Sequence, residues 1–205
     1  MSLRSCVFGL LLKYTLRRTN SISGSNVLRK PKYKLAAQEL FDFAVRSLGR
    51  RAQSSAELRQ KLRERAAEEA SVEEVLSRLT EYGYLDDKRF AENYAASRLE
   101  NERFGRARTL NDLRSRRVTG PVADSAVENT YKETDETTLV EAYIRKKFRA
   151  ASRETLFKEE KDLASAYRRL LRAGFRSAVI VAVLKRFAKN PDLLDAIEEP
   201  DVLEE

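Results

Sequence analysis

The sequence predicts an all-α protein: three tandem three-helix repeats, helix-turn-helix-like in outline, stacked into an elongated curved array. Three observations predict it. Ala, Leu, Glu, Lys and Arg, the residues that lose least on entering a helix, dominate, against seven glycines and four prolines in 205 residues. Apolar residues recur at three- and four-residue spacing from Leu35 onward. The same helix triplet restarts near residues 36, 87 and 136, a period of roughly 50 residues that suits helical repeats. A unit of that size buries too little apolar surface to be robust by itself, so stacked neighbours must complete its core. One compact bundle of nine helices is the alternative; short linkers and recurring caps favour the array.

In the first repeat, residues 35–84, Leu40, Phe43, Ala44 and Leu48 mark the inner face of the first helix. Ser54 with Glu57 forms a capping box for the second, which turns Leu58 and Leu62 inward. Ser71 with Glu74 reads as the same device for the third, whose inner face is Val72, Val75, Leu76 and Leu79 and whose stop is Gly83. The second repeat, residues 85–134, opens on Asp86 as N-cap, runs through Phe90 and Tyr94 to about Arg103, and breaks at Gly105. A short helix follows with Ala107, Leu110 and Leu113 inward, and Thr119-Gly120-Pro121 starts a third carrying Val122, Ala126 and Val127. The third repeat, residues 135–189, starts at Asp135. Leu139, Tyr143, Ile144 and Phe148 form its first face, and Leu156, Leu163, Ala166, Tyr167 and Leu170 its second. Gly174 stops that helix, Ser177 caps the last one, and Asn190-Pro191 ends the helical body.

Composition removes much chemistry. With no histidine and one cysteine, Cys6, neither a Ser-His-Asp or Cys-His nucleophile nor a Cys/His zinc site is available. No internal disulfide can form, which suits a reducing cytoplasm. There is no glycine-rich phosphate loop, so the chain reads as a binding protein without a cofactor rather than an enzyme. No apolar run approaches the roughly 20 residues that span a bilayer, and a monomer is expected. Net charge is +8, unevenly placed: residues 1–34 form a basic arm without acids, and residues 190–205 form an acidic tail without bases. The arm is expected to be disordered, a targeting peptide or a start-site overrun being the other readings.

Three basic clusters, one per repeat, are the candidate binding residues. Arg50, Arg51, Arg59, Lys61 and Arg63 lie in the first, with Arg65 beside them. Arg103, Arg106, Arg108, Arg114, Arg116 and Arg117 crowd the second, where Arg108 and Arg116 are expected to point outward; this cluster is the leading candidate. Arg145, Lys146 and Lys147 form the third, with Arg149 and Arg153 following. Guanidinium forks match phosphates and carboxylates; paired charges on a solvated face are the plainer reading. Asn and Gln are scarce on the second helices, which argues for backbone or protein contact over base-specific reading. The joint Tyr84-Leu85-Asp86-Asp87-x-Arg89-Phe90 is expected to pack the repeats together, with Asp87 and Arg89 as alternative partner contacts.

These residues carry a family resemblance. Ser54-x-Ala56-Glu57-Leu58-x-x-Lys61-Leu62, Gly83-Tyr84-Leu85-Asp86-Asp87-x-Arg89-Phe90-Ala91, Phe104-Gly105-x-Ala107-Arg108 and Leu170-Leu171-x-Ala173-Gly174-Phe175 resemble the RecX family, over about residues 36–189. The chain departs from it at Ala66-Ala67-Glu68-Glu69, where a glycine-aromatic pair is expected, and at Phe104-Gly105-Arg106, in place of a glycine-proline step. The resemblance implies a cytoplasmic regulatory protein that binds the groove of the RecA nucleoprotein filament. It further implies inhibition of RecA's ATPase, filament growth and strand exchange, and so modulation of recombinational DNA repair and the SOS response. Single- or double-stranded DNA is a further implied partner. The competing expectation is a helix-turn-helix DNA binder acting without RecA.

Overall fold

The computed structural model describes residues 34–148 and 160–187. Expectations for residues 1–33, for Arg149, Arg153 and Leu156, and for the tail 190–205 lie outside the described residues.

The described residues form nine α-helices in three triplets: α1 Ala37–Arg50, α2 Ser55–Arg63 and α3 Glu69–Glu81; α4 Asp87–Ser97, α5 Arg106–Ser115 and α6 Gly120–Tyr131; α7 Glu136–Lys147, α8 Glu160–Arg172 and α9 Ser177–Phe187. This is an all-α array of three-helix repeats. One turn of π-helix, Arg98–Glu102, extends α4.

Local chemistry sets most of the boundaries. Ser54 accepts from the Glu57 N–H while the Glu57 carboxylate takes the Ser54 N–H, so the α2 capping box forms as the spacing implies. Asp86 accepts from the Arg89 N–H at 2.9 Å and starts α4. Asp135 accepts from the Thr138 N–H at 2.8 Å and starts α7. The hydroxyl and N–H of Thr138 hold the Asp135 carboxyl below the ordinary carboxylate range. Gly83 and Gly174 both adopt positive φ, and each closes its helix with the paired 6→1 and 5→2 backbone bonds of a Schellman motif.

Two expected caps differ. Helix α3 begins at Glu69, so Ser71 lies inside its first turn rather than before it. A single bridge fixes that earlier start: Leu35 pairs with Ala66, its N–H donating to Arg65 O at 2.7 Å and its carbonyl accepting from Ala67 N–H at 3.0 Å. Ser177 is the first helical residue of α9, and Arg176 precedes it as cap; the Ser177 hydroxyl meets the Tyr167 hydroxyl instead, at 2.9 Å. The inner face of α5 also differs. Thr109 and Leu113 are fully buried, Leu110 is partly so, and Ala107 faces solvent. The Thr109 hydroxyl is satisfied by Tyr131 at 2.7 Å, and Tyr131 in turn donates to Phe104 O at 2.9 Å. Burial pushes the Tyr131 phenol upward from its ordinary pKa.

The described core has two parts rather than three. Leu40, Leu58, Leu62, Val72, Val75, Leu79 and Leu85 close the first repeat on itself. The second and third repeats share one continuous cluster that includes Ala91, Leu113, Val127, Tyr143, Ile144, Leu170, Phe175 and Leu184. Across that shared boundary Tyr143 meets Phe104 at 6.3 Å, and within the third repeat it meets Phe175 edge-on at 5.7 Å.

The second helices of the three repeats meet end to end. The N–H groups of Gly105 and Ala107, at the start of α5, donate to the carbonyls of Ala173 (2.8 Å) and Gly174 (3.3 Å) at the end of α8. At the other end of α5 the Arg116 carbonyl accepts from the hydroxyl of Ser54, the cap of α2, at 2.6 Å. The order is α8, α5, α2, each helix start set on the preceding helix end; amides meet carbonyls at the first junction, and a capping hydroxyl meets a carbonyl at the second. The α8–α5 junction has room only for glycine. A Cβ on Gly105 would lie 2.3 Å from Gly174 O, and one on Gly174 would lie 2.2 Å from Arg108 N.

Gly174→Ala therefore lowers the thermal unfolding midpoint by about 2–12 °C, since overpacking costs about 1–3 kcal/mol and 1 kcal/mol shifts a chain of this size by about 2–4 °C. Gly49→Ala, where nothing lies within 4 Å, leaves the midpoint unchanged or raises it. A Gly174→Ala midpoint equal to wild type contradicts the junction. For Asp135 the folded pKa lies below the unfolded one, so its stabilisation is present above the unfolded value and lost as pH falls through the folded one. Asp135→Asn keeps an acceptor but cannot titrate. Chemical denaturation should show wild type more stable at pH 7 and the gap closing as pH falls below the ordinary Asp range.

Candidate partner-binding surface

Most of the sequence-predicted cations have partners inside the protein. In the first repeat, Arg59 forms a two-pronged pair with Glu73 (2.9 and 3.1 Å), Arg63 pairs with Glu69, and Arg51 with Glu57 (3.4 Å). Lys61 donates to the side chain of Gln53, and burial followed by the neighbouring Arg51 charge lowers its pKa. Arg65 lies over the Phe43 ring at 4.4 Å. In the second repeat, Arg106 pairs with Glu128, Arg108 with Asp112 (3.1 Å) and Arg114 with Asp124 (3.3 Å). In the third, Arg145 pairs with Glu141 (3.6 Å).

Three of the candidates hold joints. Arg116, expected outward, turns toward the first repeat: its guanidinium lies 3.6 Å from Glu57 and 4.8 Å from the Tyr94 ring centre. Arg98 covers Tyr94 as well, at 4.7 Å, and reaches Asp112 at 3.4 Å. Lys147 pairs with Glu102 at 2.8 Å and Lys146 donates to the Asn101 carbonyl, so the basic end of α7 clamps the π-turn of the second repeat. The Lys147 ammonium holds the Glu102 carboxyl below its ordinary range.

The 84–90 joint divides its labour differently from the expectation. Leu85 is buried, but in the first-repeat core, and Tyr84 is half exposed, edge-on to Tyr82. Asp87 accepts from the Ser55 N–H at 2.7 Å, so a residue of the second repeat completes the start of α2. Phe90 packs on the second core. Arg89 is exposed and makes no side-chain bond among the described residues. The joint between the first two repeats is thus made largely of polar contacts from Ser54, Ser55, Glu57, Asp87 and Arg116.

Arg50, Arg103 and Arg117 remain from the predicted set with no side-chain partner among the described residues. Two of them share a second property. Arg103 (φ 58°) and Arg117 (φ 60°) are the positive-φ residues other than glycine among those described. They bracket α5 in the chain: Arg103 ends the π-turn before it, and Arg117 follows its last turn. A left-handed backbone costs a non-glycine residue about 1 kcal/mol, and glycine is the common solution at a helix end. Sequence reading by density singled out the cluster but not these two. The signal was position: each lies where a helix must stop and no glycine is supplied.

Comparison with known proteins agrees with this architecture. Family models for the first and second three-helix domains of RecX match residues 41–79 and 86–127. Regulatory protein RecX of Deinococcus radiodurans is 33% identical over 164 residues, covering 78% of this chain and 74% of that protein. The chain belongs to the RecX family. Regulatory protein RecX of Treponema pallidum is 38% identical over 96 residues, covering 47% of this chain and 58% of that relative. A crystal structure of RecX from Lactobacillus salivarius superposes with a TM-score of 0.53 at 17% identity, over 74% of this chain and 96% of that one, a likeness of fold. Among the described residues no helix is long and apolar enough to cross a membrane, and no group of three or more His, Cys, Asp or Glu side chains is placed to hold a metal ion.

The polar joint predicts a coupling. Ser54→Ala removes both a cap and the bond to Arg116 O, and should cost about 1–3 kcal/mol in urea denaturation. In a double-mutant cycle with Asp87→Ala the two losses should be non-additive by at least about 0.5 kcal/mol. Strict additivity would mean that the two contacts do not act as one joint.

Proposed function

We propose that this RecX-family protein binds the RecA–DNA filament and inhibits its ATPase, growth and strand exchange, thereby modulating recombinational repair. The observation that carries the contact surface is the pair of strained, unpaired arginines, Arg103 and Arg117, at the two ends of the central helix. Backbone strain kept at an exposed cation points to a use other than folding. Family membership supplies the partner, and a row of three joined helices suits a partner that repeats along its length. Arg50 and Arg89 are two further cations with no side-chain partner among the described residues. The paired cations Arg59, Arg63 and Arg114 would have to leave their acids first, which makes them weaker contacts.

The test is RecA's single-strand-dependent ATPase titrated with wild type, with Arg103→Gly/Arg117→Gly and with Arg59→Ala/Arg63→Ala. Wild type inhibits at less than one copy per RecA. The double glycine variant is at least as stable, because relief of the left-handed strain, about 1–2 kcal/mol per site, offsets the entropy cost of glycine. It should nonetheless inhibit at least about tenfold more weakly, because a hydrogen bond to a charged group is worth about 1.5–3 kcal/mol. Arg59→Ala/Arg63→Ala stays within about twofold of wild type, as exposed ion pairs contribute little. Absence of inhibition at saturating wild type refutes the proposal. DNA binding without RecA, with a salt slope of about −0.9 per phosphate on a duplex, would favour the independent DNA-binding reading.

A further inference from the structure

An open groove lies where α5 meets α8, outside the Arg103/Arg117 pair. Its cavity, ≈ 380 Å³, is lined by Ala107, Arg108, Asn111, Ser115, Leu171 and Arg172 among others. Leu171 is 40% exposed, one of the few large apolar side chains uncovered among the described residues. Arg172 lies beside it and Arg168 one turn back, so the two fall on one face of α8. Neither has a side-chain partner among the described residues. The one acid of the groove, Asp112, is already engaged by Arg98 and Arg108. The groove therefore offers an apolar contact between uncompensated cations.

The same chain carries the complementary chemistry. Residues 190–205 hold seven acids and no base, interleaved with Leu193, Leu194, Ile197, Val202 and Leu203. Asp192, Asp195, Glu198 and Glu199 alternate with those aliphatics at spacings that suit one apolar side and one acidic side. The distance is short. Helix α9 has eleven residues and is about 16 Å long, and its start is joined to the end of α8 by residues 173–176. Six Cα steps separate Phe187 from Leu193, a reach of up to about 20 Å against the roughly 16 Å length of α9.

We infer that the acidic C-terminal segment 192–203 docks in the α5–α8 groove, its aliphatic residues on Leu171 and its carboxylates on Arg168, Arg172 and the rim around Arg108. Exposed ion pairs are weak one at a time, but a tethered segment meets the groove at an effective concentration in the millimolar range. Salt screens such contacts, so occupancy falls as ionic strength rises. The segment acts as an internal competitor for anionic partners on this face. The inference does not depend on RecA being the partner.

The test uses the full chain with Cys6→Ser and Ala196→Cys, spin-labelled at position 196, and reads paramagnetic broadening of backbone amides. Broadening is expected over 107–115 and 168–174. It should fade several-fold in 1 M salt and disappear in Arg168→Glu/Arg172→Glu, whose amide spectrum otherwise reports an intact fold. It should also be absent when labelled protein is mixed with unlabelled isotope-enriched protein, which makes the contact internal. Broadening confined to residues next to the label, centred on another surface, or unchanged in Arg168→Glu/Arg172→Glu overturns the inference. None of these readings uses RecA, so its outcome is separate from that of the ATPase titration.

Discussion

The arrangement rests on helix ends that finish one another. Every helix leaves amide groups unpaired at its start and carbonyls unpaired at its end. Here the starts of α5 and α2 are placed on the ends of α8 and α5, so each junction satisfies groups that would otherwise need water or side chains. The alignment also sets the positive start of one helix dipole on the negative end of the next. Gly105 and Gly174 permit the closer of the two junctions, and Ser54 makes the other by capping its own helix while donating to Arg116 O. The direction of the row, and with it the placing of Arg103 and Arg117, follows from these two contacts.

The two joints are built from different materials. Between the second and third repeats, aromatic and aliphatic side chains form one core, with Phe104 meeting Tyr143 across the boundary and Phe175 backing Tyr143 from within the third repeat. Between the first and second, buried apolar clusters stay separate, and the union consists of Ser54, Ser55, Asp87, Glu57 and Arg116, with Tyr94 held between two guanidiniums. Burial of apolar area is the larger stabilising term, and polar contacts at a partly solvated joint are worth less. The first repeat is therefore the unit that separates at lowest cost. A regulator that must follow a partner's surface can use such a joint without loosening its main core.

What could be read from the sequence was local. Ser54, Asp86 and Asp135 as caps, Gly83 and Gly174 as stops, and the apolar faces of α1, α3, α6 and α7 are set by residues within a turn or two of one another. The differences came from contacts across distance. Ser71 lost its capping role because the Leu35–Ala66 bridge starts α3 earlier, and Ser177 because its hydroxyl meets Tyr167. Arg116 turned inward for Glu57, 59 positions away in the chain, and Arg59, Arg106 and Arg114 found acids on the following helix of their repeats. Counting arginines in a window cannot see such pairing. The left-handed backbone at Arg103 and Arg117 escaped the same count, because it follows from where a helix must stop and not from the residue type. The fold was thus far more legible than the candidate surface.

The end-to-end junction is tested most directly by amide hydrogen exchange at Gly105. This residue precedes α5, so no bond within that helix protects its N–H; its acceptor is Ala173 O, almost 70 positions away. The account predicts that Gly105 exchanges as slowly as core amides of α6, at rates set by cooperative unfolding of the second and third repeats. Exchange at the speed of an unstructured loop, with the α6 amides still protected, would contradict it.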